Sequence, residues 1–224
     1  MSYMELVACF ANSRKMGGRC IAGKVLREDG GVGCWIRPVS SRDTHELSQE
    51  SASYADGSEP ELLDIVAITL RRPEPLPRQE ENHLLDDEYF LEKRGRVVLQ
   101  DIDPWLDRPD GLWLTPEGKR FGPYESARVP EAYAGGESLY LVRVAGLEMH
   151  VAADQRHPQR KRVKGSFLYG DRHYLLPVTD PKIEREYAGR HDGDYRIGDA
   201  VLCVSLGDPL NGELYKLVAG VIVL

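Results

Sequence analysis

Close pairs of cysteine or histidine that could hold a zinc ion are missing from this chain, and it has only four cysteines in 224 residues. Cys9, Cys20, Cys34 and Cys203 stand far apart, each in or beside an apolar run. They read as buried reduced thiols rather than as a disulfide framework. Long apolar runs are missing too. The longest, Leu217 to Leu224, falls well short of the roughly 20 residues needed to cross a bilayer. No basic segment followed by an apolar stretch marks a signal peptide, so a cytoplasmic location is expected. Positive charge is in deficit, with a formal net charge of -7. That argues against a protein that coats nucleic acid by bulk electrostatics. No repeat of 20 to 50 residues is visible.

What is present is a series of short apolar runs closed by Gly, Pro, Asn or Ser, the pattern of strands. In the first third they are Leu6 to Phe10, Arg19 to Leu26, Trp35 to Val39 and Leu62 to Leu70. The glycines of Glu28 to Gly33 suit a hairpin between the second and third. Residues 40–61 are polar and read as a long loop, and Pro73, Pro75 and Pro77 exclude a central strand. Asp86 to Arg94 is the best helix candidate, with acids at its start, Lys93 and Arg94 at its end and Gly95 as a cap. The strand pattern returns in Ser138 to Val144, Leu147 to Val151, Arg162 to Tyr169, His173 to Val178, Ala200 to Ser205 and Leu214 to Leu224. Gly170-Asp171 marks a tight hairpin. The expected architecture is all-β with minor helix: two small β-barrels at 1–105 and 137–224, joined by an irregular connector at 106–136.

Several motifs, in order, carry a resemblance. They are Asn12-Ser-Arg-Lys15 with Cys20-Ile-Ala-Gly23; Trp35-Ile-Arg-Pro-Val-Ser40; Leu63-Asp-Ile-Val66; and Pro75 with Glu81-Asn82. Tyr174 leading to Val178-Thr-Asp-Pro181, and Ser205-Leu-Gly207 with Tyr215-Lys-Leu-Val-Ala219, complete the set. On these the chain resembles the bacterial dual OB-containing domain family. The resemblance implies two OB-like barrels that bind nucleic acid or a nucleotide-like ligand, in mobile-element or anti-phage defence contexts.

Charge is unevenly distributed. Residues 43–92 hold 14 acids and 3 bases, a net of -11 that leaves +4 for the rest of the chain. The strongest basic feature is 155–164, where Arg156, Arg160, Lys161, Arg162 and Lys164 carry five positive charges with no acid. As a loop between two strands of an OB-like barrel it could grip phosphates, with Phe167, Tyr169 and Tyr174 on the next hairpin for base stacking. The same residues also fit a solvated loop beside core aromatics. A second set, Asn12, Lys15, Trp35, Arg37, Asn82 and Asp180, could line a rim pocket for an anionic ligand. Alternation places Arg37 on a face with Trp35, and a buried guanidinium must be paired, with Asp64 and Asp180 as candidates. A structural Arg–Asp pair is the competing account.

Glu81-Asn82 and Thr179-Asp180 could serve as acid/base groups, but nothing in the sequence brings two such groups together, and both suit turns. Gly18 to Lys24 has the spacing of a phosphate-binding loop, yet Val25 follows where that loop needs a hydroxyl. His191-Asp-Gly-Asp194 has no second set of metal ligands, so neither a metal nor a cofactor is expected. The functional expectation is a nucleic-acid-binding module, single-stranded for preference and without catalysis of its own. The alternatives are a sensor or enzyme for a nucleotide-like ligand at the rim, and a protein-interaction adaptor that docks through acidic 43–92.

Overall fold

A computed structural model describes residues 1–115, 118–154, 157 and 159–224. The chain divides into two compact units, Met1–Trp105 and Leu106–Leu224. The apolar runs of the first unit become β1 (Tyr3–Lys15), β2 (Gly18–Leu26), β3 (Val32–Val39), β4 (Asp64–Pro73), β5 (Asn82–Leu85) and β6 (Glu92–Arg96). Strand order is β1-β2-β3-β5-β4, and β4 returns to pair with β1, closing a five-strand ring with β6 outside it. Only β3 and β5 run parallel, in register Arg37↔Asn82. This is the order of a Greek-key OB barrel.

Alternation along the strands fills the ring with Val7, Cys9, Ile21, Ile36, Ile68 and Leu70. Gly23 is fixed by packing and not by phosphate binding: a Cβ there would stand 2.0 Å from the Ala8 carbonyl oxygen. Residues 40–61 contain no regular strand, but they fold Leu47 and Ala52 into this core. The backbone bridge Arg19↔Leu47 holds them there.

Two expectations are corrected here. Asp86 to Arg94 does not form a helix. Its first acid, Asp86, accepts from Arg71 at 3.0 Å and from Ser2 at 2.6 Å, and residues 92–96 pair with β4 instead. An open strand edge offers more hydrogen bonds and packing than a short isolated helix. The four thiols are free, but only Cys9 and Cys203 are buried. Cys20 is half-buried and Cys34 exposed.

The second unit contains β7 (Arg120–Phe121), β8 (Tyr124–Glu125), β9 (Arg128–Pro130), β10 (Leu139–Ala153), β11 (Lys161–Tyr169) and β12 (Arg172–Pro177). Helix α1 (Pro181–Ala188) follows, then β13 (Gly193–Leu206) and β14 (Glu213–Val223). The sheet runs β7-β8-β12-β11-β10-β13-β14-β9. Closure between β12 and β14 is reduced to one parallel bridge, Val178↔Val218. With that bridge the order β10-β11-β12-β14-β13 repeats the ring of the first unit. The turn at Gly170 takes φ +61°, a conformation glycine adopts without strain, and keeps Phe167 opposite Tyr174. Residues 106–136, expected as connector, supply β7, β8 and β9 and place Leu112, Trp113 and Val129 in this unit's core.

Helix α1 was not anticipated, because Asp180-Pro181 suits a turn equally well. Asp180 caps the helix: its carboxylate accepts from the Lys182 and Ile183 amides and, across the unit, from the Val221 amide at 3.1 Å. Pro181 opens the helix, where its missing N–H costs nothing. Burial pushes the Asp180 carboxyl up, although these three amide donors pull it the other way. Asp180→Ala is expected to lower stability by roughly 1–3 kcal/mol through loss of the cap and exposure of an unpaired amide, with Asp180→Asn losing less. Urea denaturation of both variants checks this.

Candidate nucleic-acid interface

In OB barrels the outer face of the second and third strands, with the loop between the first two, forms the strand-binding groove. In the first unit that face is occupied by its own chain. Lys24, on β2, donates to the Trp105 carbonyl at 2.7 Å and lies over the Trp35 ring. Phe10 packs edge-on against both Trp35 and Trp105. The loop between β1 and β2 is only the tight turn at Met16-Gly17. That two-residue turn is too short to embrace a nucleotide strand.

The second unit differs on both counts. Its equivalent loop, residues 154–160 between β10 and β11, holds the first part of the basic segment, and Lys161, Arg162 and Lys164 lie on β11 itself. Its outer face alternates outward along β11 as Arg162, Lys164, Ser166 and Leu168, with Val163, Gly165 and Phe167 inward. Register lays these out in rows. Lys164 stands between His150 on β10 and Pro177 on β12. Ser166 stands between Glu148 and Leu175. Leu168 faces His173, His173 faces Tyr124, and Tyr124 faces Phe121. Residues directly opposite share a face, so Phe121, Tyr124 and His173 make one aromatic row. Phe121 and His173 are exposed and Tyr124 half-buried.

The basic residues are not equally available. Lys161 pairs with Asp192, and the Arg162 Nε donates to Asp154 at 2.6 Å. Arg160 and Lys164 are exposed and have no acidic partner among the described residues. Arg156 lies outside the described residues. The aromatic expectation is corrected for two residues. Phe167 and Tyr174 are stacked on each other at 5.5 Å inside the core, so neither offers a ring face to a base. Tyr169 is half-buried, and its hydroxyl donates to the Pro109 carbonyl at 2.7 Å. Gly165 and Val163 face inward, which carries Phe167 inward with them.

The proposed rim set is divided between the two units. Asp180 belongs to the second unit and spends its carboxylate on backbone amides. Asn12, Lys15, Trp35, Arg37 and Asn82 belong to the first. Arg37 pairs with neither Asp64 nor Asp180; it pairs with Glu81 at 3.0 Å, both side chains being buried. Asp64 is held instead by Lys93 and Arg96, each at 2.8 Å, and by the Tyr54 hydroxyl. Burial alone would raise the Asp64 carboxyl, but the Lys93 ammonium, the Glu61 region's amide and Tyr54 bring it below its ordinary value. Asn12 donates to the Pro60 carbonyl at 2.9 Å, and Arg19 forks onto Glu59. Asn82 donates to Gln79. Glu81 and Asp180 are thus both committed to structural contacts. Among the described residues no group of acids, histidines and cysteines could hold a metal ion.

Phe121 and Tyr124 were missed because residues 106–136 carry no strand-length apolar run, and His173 because its pairing with Tyr124 has no sequence signal. The only sequence signal was Phe121 and Tyr124 flanking Gly122-Pro123, a hairpin turn.

Two OB-type barrels, one with its outer sheet face filled by its own chain and one with that face open, define the class of protein. The chain belongs to the dual OB-containing domain family, whose family model matches residues 4–221. No curated protein and no solved structure matches it significantly. OB barrels commonly bind nucleic acids. No helix among the described residues is long and apolar enough to cross a membrane.

Proposed function

We propose that the protein binds single-stranded nucleic acid on the outer face of its second barrel, in keeping with a bacterial defence or mobile-element setting and a cytoplasmic location. The observation that carries this is the row of exposed Phe121, half-buried Tyr124 and exposed His173 on the same face as Lys164, with Arg160 at the head of β11. Bases stack on the row while the cations meet the phosphates, a division of labour that tolerates any sequence. The negative net charge does not oppose it, since 43–92 holds the excess acid.

Fluorescence anisotropy with a labelled single-stranded oligonucleotide tests the reading. Phe121→Ala and His173→Ala are each expected to weaken binding by about 1–3 kcal/mol, roughly five- to 150-fold. Arg160→Ala and Lys164→Ala should each make the affinity less salt-dependent, by close to one unit of log–log slope. Phe167→Leu should act on stability alone. Equal binding by all variants would reject the face.

A second reading places a nucleotide-like ligand by Asn12 and Asn82, whose buried Oδ1 atoms have no hydrogen-bond partner among the described residues. It predicts a higher melting temperature with added nucleotide and little salt dependence. The adaptor reading rests on a cleft of about 640 Å³ lined by Tyr54, Asp56, Glu59, Glu61, Asp64 and Lys93.

A further inference from the structure

On the open face of the second barrel, three side chains from three adjacent strands are linked in a line. Ser166, on β11, has its Oγ 2.7 Å from His150 Nε2, on β10. His150 Nδ1 lies 2.6 Å from Asp194 Oδ1, on β13. Register explains the line: Asp194 is directly opposite His150, and Ser166 is the diagonal neighbour across β10 and β11. A hydroxyl bonded to one imidazole nitrogen, with a carboxylate on the other, is the arrangement that activates a serine. We propose that Ser166 is a nucleophile, His150 its general base and Asp194 the group that orients and charges the imidazole.

The surroundings fit this assignment. With Nδ1–H donated to Asp194, Nε2 keeps its lone pair for the Ser166 proton. Glu148 Oε2 stands 3.8 Å from Nε2, too far to take the hydrogen bond but close enough to stabilise the imidazolium that forms. The backbone amides of β11 are committed to the sheet, so a developing oxyanion must be met by a side chain. Lys164 is two residues along β11 on the same face, and Arg196 is opposite Glu148. Neither has an acidic partner among the described residues. These cations favour a carboxylic ester that carries a negative charge.

The step balances without a cofactor. Ser166 Oγ bonds to the acyl carbon as its proton passes to His150 Nε2. The imidazolium returns that proton to the departing alkoxide as the ester bond breaks. Water then attacks the acyl-serine, its proton taken by His150 Nε2, and the imidazolium returns that proton to Ser166 Oγ as the acyl–serine bond breaks and the acid leaves. This goes beyond strand binding and departs from the expectation of a module without catalysis. It does not depend on strand binding, and its test uses no nucleic acid.

The test treats the full chain with a fluorophosphonate probe and maps the adduct by mass spectrometry, alongside hydrolysis of mono(4-nitrophenyl) succinate and neutral 4-nitrophenyl acetate. The expected result is a single adduct on Ser166, formed at least about 100-fold more slowly in His150→Gln. Hydrolysis should be lost in Ser166→Ala, and the preference for the anionic ester lost in Lys164→Ala. No adduct on Ser166, or one formed equally fast in His150→Gln, overturns the proposal. Because labelling is read on the wild-type chain, a variant that fails to fold does not rescue the idea.

Discussion

Arg37→Ala is expected to lower the stability of the chain by roughly 3–5 kcal/mol, the range for removing one partner of a buried ion pair. Both members of the Arg37–Glu81 pair lie below a tenth exposed, at 4% and 7%. The cost comes mainly from the Glu81 carboxylate left in a dry site, not from the attraction lost. A second substitution should therefore repair much of the damage: Arg37→Met with Glu81→Leu is expected to recover at least half of the loss. Urea denaturation of the wild type and these two variants measures this. A cost near zero for Arg37→Ala would mean that the guanidinium is not structural and would return it to the ligand-binding candidates.

The opposite sign is expected at Lys216. Its ammonium is buried at 2% exposure and lies over the Tyr174 ring, 5.6 Å from the centroid. Burial pushes its pKa down to about 8, against a partial upward pull from Glu125. An unfolded lysine titrates near 10.4. Between pH 8 and that value the unfolded chain binds more protons than the folded one, so stability rises with pH across the window. Below pH 8 the full penalty, about 3 kcal/mol, is present. Raising the pH from 7.5 to 9.5 should thus stabilise the wild type by roughly 2 kcal/mol from this group. Lys216→Met should be more stable at pH 7 by up to about 3 kcal/mol and should lose that rise. The buried tyrosines do not obscure the test. Tyr174 is itself pushed up by burial, and such a group subtracts stability only above pH 10. A wild type whose stability is flat from pH 7.5 to 9.5 would contradict the assignment.

The strands were largely readable because period-two runs with closing turns report a half-buried sheet directly. Trp35 to Val39 and His173 to Val178 are examples, and both carry a Pro-Val-Ser/Thr ending at the closure of a barrel. Local signals failed where tertiary contacts decided the outcome. Asp86 to Arg94 looks helical in isolation, but β4 had a free edge to fill. Asp180-Pro181 is the same dipeptide in a turn and at a helix start, and only the Val221 amide makes the cap worth burying. The site was legible in part. Charge density located the basic loop, but burial fixed the phase of β11 and sent Phe167 and Tyr174 inward. The aromatic row needs a parallel pairing of β12 with β8, a contact between segments about 50 residues apart that composition cannot reveal. Ser166, His150 and Asp194 likewise come from three strands and meet only in the folded sheet.

The most direct measurement is ultraviolet cross-linking of a single-stranded oligonucleotide to the full chain, with the attached peptides identified by mass spectrometry. The account predicts cross-links on Phe121, Tyr124 or His173, suppressed by high salt and by Lys164→Ala. Cross-links confined to residues 1–105, or none at low salt, would contradict it.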